Sequence, residues 1–104
     1  MSKAVVVLCT CGDAEEARRI AHDLVESRLA ACVNILPPIE SIYRWQGSID
    51  AAREVLLLIK TIEERFPDLE QRIRHLHSYD TPEIIALPVS AGLDKYLAWI
   101  GESV

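Results

Sequence analysis

Cys9 and Cys11 lie two positions apart, as do His75 and His77, and these are the side chains here whose chemistry suits a metal ion. Successive side chains of an extended strand point to opposite faces, so a Cys-x-Cys pair on a strand presents both thiols on one side. Two thiolates suit a soft ion such as Cu(I) or Zn(II). The structural alternative makes Cys9 a small core hydrophobe and Cys11 a loop thiol, with Cys32 as core too. His75 and His77 fall at a helix end, where side chains at i and i+2 diverge. A histidine there has a structural use of its own, bonding the unpaired carbonyls of the last turn. His22 falls off the apolar stripe of its helix and reads as solvated. Neither a zinc-finger spacing nor a His-Glu-x-x-His pair is present, so spacing by itself does not define a site.

Tyr43 and Trp45 share one face of a strand, and Ile42 and Arg44 share the other. Aromatics with arginine at such a place are common in subunit contacts, and the alternative is that they pack only on their own chain. Lys60 directly follows the apolar run VLLLI, with Glu83 as its expected partner. The pair reads as a structural ion pair, or, in a cleft, as a holder for a small anion or metal. Gly-x-Ser-x-Gly, a phosphate loop and a dinucleotide fingerprint are all missing, and glycine occurs four times, so no catalysis is expected.

These residues need elements to hold them. A β-branched run over 4–9 predicts a strand buried on both faces. Asp13 with Glu16 makes a capping pattern, followed by Ala17, Ile20, Ala21, Leu24 and Val25 at helical spacing, with Arg28 in the last turn. Residues 31–36 predict a second strand, interrupted at Pro37–Pro38, because neither proline nitrogen can donate to a ladder. The chain resumes over 39–45, turns at 46–48 and returns over 55–61, a long hairpin with a kinked first arm. Thr61 with Glu64 is a second capping pattern, and Pro67 opens a helix with Leu69, Ile73 and Leu76 inward, ending at Thr81–Pro82. A strand over 84–89 and a closing helix with Leu93, Tyr96, Leu97 and Ile100 inward complete the order β-α-β-β-α-β-α. That order predicts an α+β fold, a four-stranded antiparallel sheet of ferredoxin-like type with two helices on one face. The additional C-terminal helix then covers a sheet edge or docks on another subunit.

At 104 residues the chain is expected to be one domain, 1–104. A folded monomer of this size exposes roughly 5,900 Å². The net charge of −5 and the lack of any basic run beyond Arg18–Arg19 argue against nucleic acid and anionic membrane as partners. The longest apolar run, Ala4 to Cys9, is far short of the ~20 residues that span a bilayer. No signal-peptide pattern opens the chain, and three cysteines suit a reducing, cytoplasmic compartment.

The strings VVVLCT (5–10), RLAACVNI (28–35), SIYRWQG (41–47), LLLIKT (56–61), HSYDTPEIIALPV (77–89) and YLAWI (96–100) closely resemble the CutA divalent-ion tolerance proteins, in the same order from first strand to last helix. The resemblance implies a tight homotrimer of ferredoxin-like subunits, with the bent hairpin crossing subunit boundaries and Tyr43 and Trp45 at the contact. It implies copper binding, as Cu(II) or Cu(I), with other divalent metals possible, and a part in metal tolerance. The ligands it implies are a cysteine in VVVLCT and two adjacent histidines before Tyr-x-Thr-Pro-Glu. These fall on Cys9, Leu76 and His77, so the first histidine position holds a residue that cannot ligate. The architecture is also similar to PII-type signal trimers, which bind small ligands between subunits. Tyr43, Trp45, Lys60, Tyr79 and Glu83 are the candidate cleft residues for that alternative. A third reading is a very stable scaffold whose metal binding is incidental.

Overall fold

Alternation along the first strand decides where everything else sits. The computed structural model describes residues 3–104, so Met1 and Ser2 of the expected 1–104 span lie outside the described residues. Strand β1 (Ala4–Cys11) runs two residues further than its β-branched run, so both cysteines lie in it and neither is a loop thiol. Val5, Val7, Cys9 and Cys11 all point to one buried face. On β4 (Ser48–Ile62) the matching residues are Val55, Leu57, Ile59 and Thr61, with Cys9 opposite Leu57 and Cys11 opposite Val55. Helices α1 (Ala14–Glu26) and α2 (Phe66–Leu76) cover this face with Ala17, Ile20, Leu24, Leu69 and Ile73. Each such Leu or Ile taken fully out of water contributes about 1.5–3 kcal/mol.

The sheet order is β2-β4-β1-β5, with β2 (Cys32–Ile35) and β5 (Ile85–Pro88) on the flanks and every pairing antiparallel. This is the ferredoxin-like arrangement, with one change from the expected four strands. The break at Pro37–Pro38 divides the second strand, and β3 (Ile39–Trp45) pairs separately with the first half of a 15-residue β4. Residues 48–54 of β4 pair with β3 and with no other described strand, so the hairpin leaves the sheet as a two-stranded ribbon. Its tip is a two-residue turn with positive φ at Gln46 (48°) and Gly47 (83°), the handedness that matches strand twist.

Helix boundaries moved for tertiary reasons. Asp13 caps α1 by accepting the Glu16 N–H at 2.8 Å, but the helix ends at Glu26 and Arg28 adopts a left-handed conformation (φ 61°). Thr61 does not cap. It is buried in β4, where its hydroxyl donates to the Leu29 carbonyl at 2.7 Å, and a 3-10 turn (Glu63–Arg65) leads into α2. Helix α2 stops at Leu76, well before Thr81–Pro82. The N–H groups of Ser78 and Tyr79, which would have extended it, bond instead to the Glu16 carboxylate and to Nδ1 of His77.

Helix α3 (Asp94–Glu102) packs on its own chain, with Ile100 against Ala31 and Ile62, while Tyr96 and Trp99 remain exposed. The second face of the sheet is thinly covered: Ile85 and Leu87 are 51% and 47% exposed. The accessible area of 6928 Å² exceeds by about 1,000 Å² that of a typical monomer of this mass.

Candidate functional site

Strand parity and the early end of α2 together assemble a cluster. Cys9 and Cys11 project to the same side of β1, and the extended backbone of His77, just past α2, turns its ring onto them. One ligand atom from each lies within 4.8 Å of the others, and among the described residues these three form the one metal-competent group. All are buried, Cys9 and Cys11 completely and His77 at 8% exposure. The His77 ring is bonded at both nitrogens. Nε2 lies 2.8 Å from the Thr10 carbonyl oxygen, and Nδ1 is 3.0 Å from the Tyr79 N–H. Since a carbonyl only accepts and an N–H only donates, the proton belongs on Nε2. The neighbouring Cys11 and then burial push the Cys9 thiol far above its usual range, with negative charge at Glu83 and Glu16 adding to the effect.

Glu16 holds this arrangement together. One carboxylate oxygen accepts from the Gly12 N–H at 3.4 Å and the other from the Ser78 N–H at 2.8 Å, joining the residue after Cys11 to the residue after His77. Burial alone would raise its pKa. The bonds from Ser78, the proximity of His77 and the Gly12 N–H outweigh that and leave it below the ordinary value. The capping pattern marked Glu16 in the sequence, but the expected local role became a tertiary one. Tyr79 covers the cluster, its ring centroid 4.7 Å from that of His77 and its hydroxyl donating to Glu54 at 2.7 Å. The Tyr79 oxygen passes over Gly12, 3.4 Å from where a Cβ would stand, an ordinary contact distance. Burial, then Glu54, push the Tyr79 hydroxyl pKa up.

Tyr79 also faces a cleft of about 850 Å³ along the ribbon, whose lining includes Tyr43, Trp45 and Glu83. Lys60 is not in it. That side chain bonds the Asn34 side chain across the β2–β4 pair, so the expected pair with Glu83 does not form. Glu83 itself lies in the loop ahead of β5 rather than in the strand. Asp50, Glu54 and Asp80 add to the lining, and no lysine or arginine does. Leu76 packs against the main core, whereas His75 and His22 face solvent.

The topology defines the class first: a ferredoxin-like α+β protein, here with a buried cluster of two thiols and an imidazole between strand and helix end. The chain belongs to the CutA1 divalent ion tolerance protein family, whose family model matches residues 5–103. It is 53% identical over 98 residues to a divalent-cation tolerance protein CutA of Thermus thermophilus, covering 94% of this chain and 95% of that one. A solved structure from the same organism superposes with a TM-score of 0.95 at 52% identity, covering 96% and 97% of the two chains. A structure from Archaeoglobus fulgidus, described as a periplasmic divalent cation tolerance protein, gives 0.93 at 43% identity over 96% of this chain and 97% of that one. A chloroplastic CutA of Arabidopsis thaliana is 43% identical over 96% of this chain, which spans 55% of that longer protein. No helix among the described residues is long and apolar enough to cross a membrane.

Proposed function

We propose that this protein serves divalent-metal tolerance by holding a metal ion, copper foremost, at Cys9 and His77, as a cytoplasmic homotrimer of one-domain chains without catalytic activity. The observation that carries the reading is the convergence of a buried thiol and a buried imidazole from distant parts of the chain. The donors fit the ion: sulfur and imidazole suit copper, and Glu16 and Glu83 supply negative charge nearby. When bound, the ion would be held by Cys9 after loss of its proton and by His77 after one of its two ring bonds is given up. Three free cysteines suit a reducing compartment, although relatives are described as periplasmic and chloroplastic. Copper titration of purified protein, with Cys9→Ala and His77→Ala compared, tests it. Loss of micromolar binding in both variants is expected, and unchanged binding in the double variant removes these residues from the role.

The cleft favours a second reading, a PII-like carrier or sensor of a small molecule. Its volume suits a drug-sized ligand. Its aromatic and acidic lining suits an organic amine rather than a nucleotide or organic acid, through cation–π and carboxylate contacts. A thermal-shift screen of amines should find a stabilising compound, worth about 2.7 kcal/mol at a hundredfold excess over Kd. A silent screen would leave the metal reading alone.

A further inference from the structure

Leu76, the residue before His77, offers no donor atom. Leu76 is committed to the core. The third donor on the structure comes from a different element, the Sγ of Cys11, wholly buried and within 4.8 Å of its two neighbours. We propose that Cys11 joins Cys9 and His77 as a third ligand, and that the resulting pair of thiolates with one imidazole selects Cu(I).

This rests on the reading that Cys9 and His77 hold metal, and extends it to ligand number and oxidation state. Distance, coordination number and access each support it. A metal–sulfur bond of about 2.3 Å sets donors roughly 4 Å apart around a three-coordinate ion, so the cluster needs to close by less than about 1 Å. Rotation about the cysteine χ1 angles supplies that much. Structural zinc calls for four ligands, and among the described residues no fourth cysteine, histidine or carboxylate joins the group. Soft thiolates favour monovalent copper, whereas Cu(II) prefers nitrogen and oxygen donors in a tetragonal set. Tyr79 and Thr10, whose carbonyl bonds His77, each touch both the cluster and the cleft, and the cleft wall beyond them is acidic with no basic residue, a surface that gathers cations. As each Cu–S bond forms, the thiol proton passes to buffer, and no electron is transferred because the ion enters as Cu(I).

The test is anaerobic competition for Cu(I) against a chromogenic chelator, with ascorbate keeping the metal reduced, on wild type, Cys11→Ser and Cys9→Ser. X-ray absorption of the copper-loaded wild type accompanies it. Cys11→Ser should weaken Cu(I) binding at least a hundredfold, and the wild-type spectrum should show two sulfurs and one nitrogen. Should Cys11→Ser bind like wild type while Cys9→Ser fails, the role of Cys11 is overturned and the Cys9–His77 reading survives. If neither variant loses affinity, both fall. Zn(II) displacing Cu(I) at equal concentration overturns the selection for the monovalent ion. The wild-type spectrum stands even where a variant does not fold, and a single sulfur in it refutes the proposal.

Discussion

Glu16 shows how one side chain ties chemistry to stability. Its carboxylate is the acceptor for two backbone N–H groups that have no helix or strand partner, on the segments that follow Cys11 and His77. Glu16→Ala leaves both donors without their charged acceptor and should cost about 2–3 kcal/mol, read as a lower denaturation midpoint. The pH dependence follows from the sign of the shift. Because the folded pKa lies below the unfolded one, the stabilisation is complete above the ordinary carboxylate range and disappears as pH falls through the depressed folded value. Thermal melts from pH 7 down to 3 should therefore show wild type and Glu16→Gln separated at neutral pH and converging in acid. A gap that persists at pH 3 would mean the charge is not what matters. Asp23, held low by its paired bonds to Arg72 between α1 and α2, shifts in the same direction and is unchanged in both proteins, so the comparison isolates Glu16.

At the scale of elements, the ribbon and the end of α2 teach opposite lessons. The hairpin turn was legible over 46–48, but the structure narrows it to Gln46–Gly47, a two-residue turn whose hand needs positive φ at both positions, and starts the return strand at Ser48 rather than at 55. Space around Gly47 is open, with nothing within 4 Å of an added Cβ, so Gly47→Ala tests conformation and not packing. It should cost about 1–2 kcal/mol, while Gln46→Asn, a residue that tolerates the left-handed region, should hold or raise the melting temperature. An unchanged midpoint for Gly47→Ala would show that the turn relaxes. The helix end was not legible in the same way. Thr81–Pro82 is a true local stop signal, but Glu16 and His77 took the N–H groups of Ser78 and Tyr79 first. Those partners are 62 and 2 residues away in sequence, and local propensity carries no information about the former.

For the whole molecule, the excess surface is the feature to explain. A ribbon paired on no further side, with Ile42 and Ile49 at 69% and 73% exposure, is marginal in water by itself. With Ile85 and Leu87 on the thinly covered sheet face, these positions are where the proposed trimer would bury area. Sedimentation equilibrium should give about 35 kDa, three times 11.7 kDa, and Ile49→Glu should shift the distribution toward single chains. A single-chain mass for wild type at dilute concentration defeats the trimer, whereas the Cys9–Cys11–His77 cluster, which lies within one chain, is left intact.

Element types and, apart from the division of the second strand into β2 and β3 and the 3-10 turn before α2, their order follow from the sequence by itself, because alternation and helical periodicity are local properties of consecutive residues. So does the shared face of Cys9 and Cys11, once the strand is known to run through both. What tertiary structure decided is which distant groups meet. His77 comes from 66 residues beyond Cys11 because α2 is seated on the sheet and its last turn is cut short. Lys60, a plausible cleft residue by position, was assigned to Asn34 by strand register. Helix seating and strand register are settled by packing over the whole core, and a short stretch of sequence does not contain that sum.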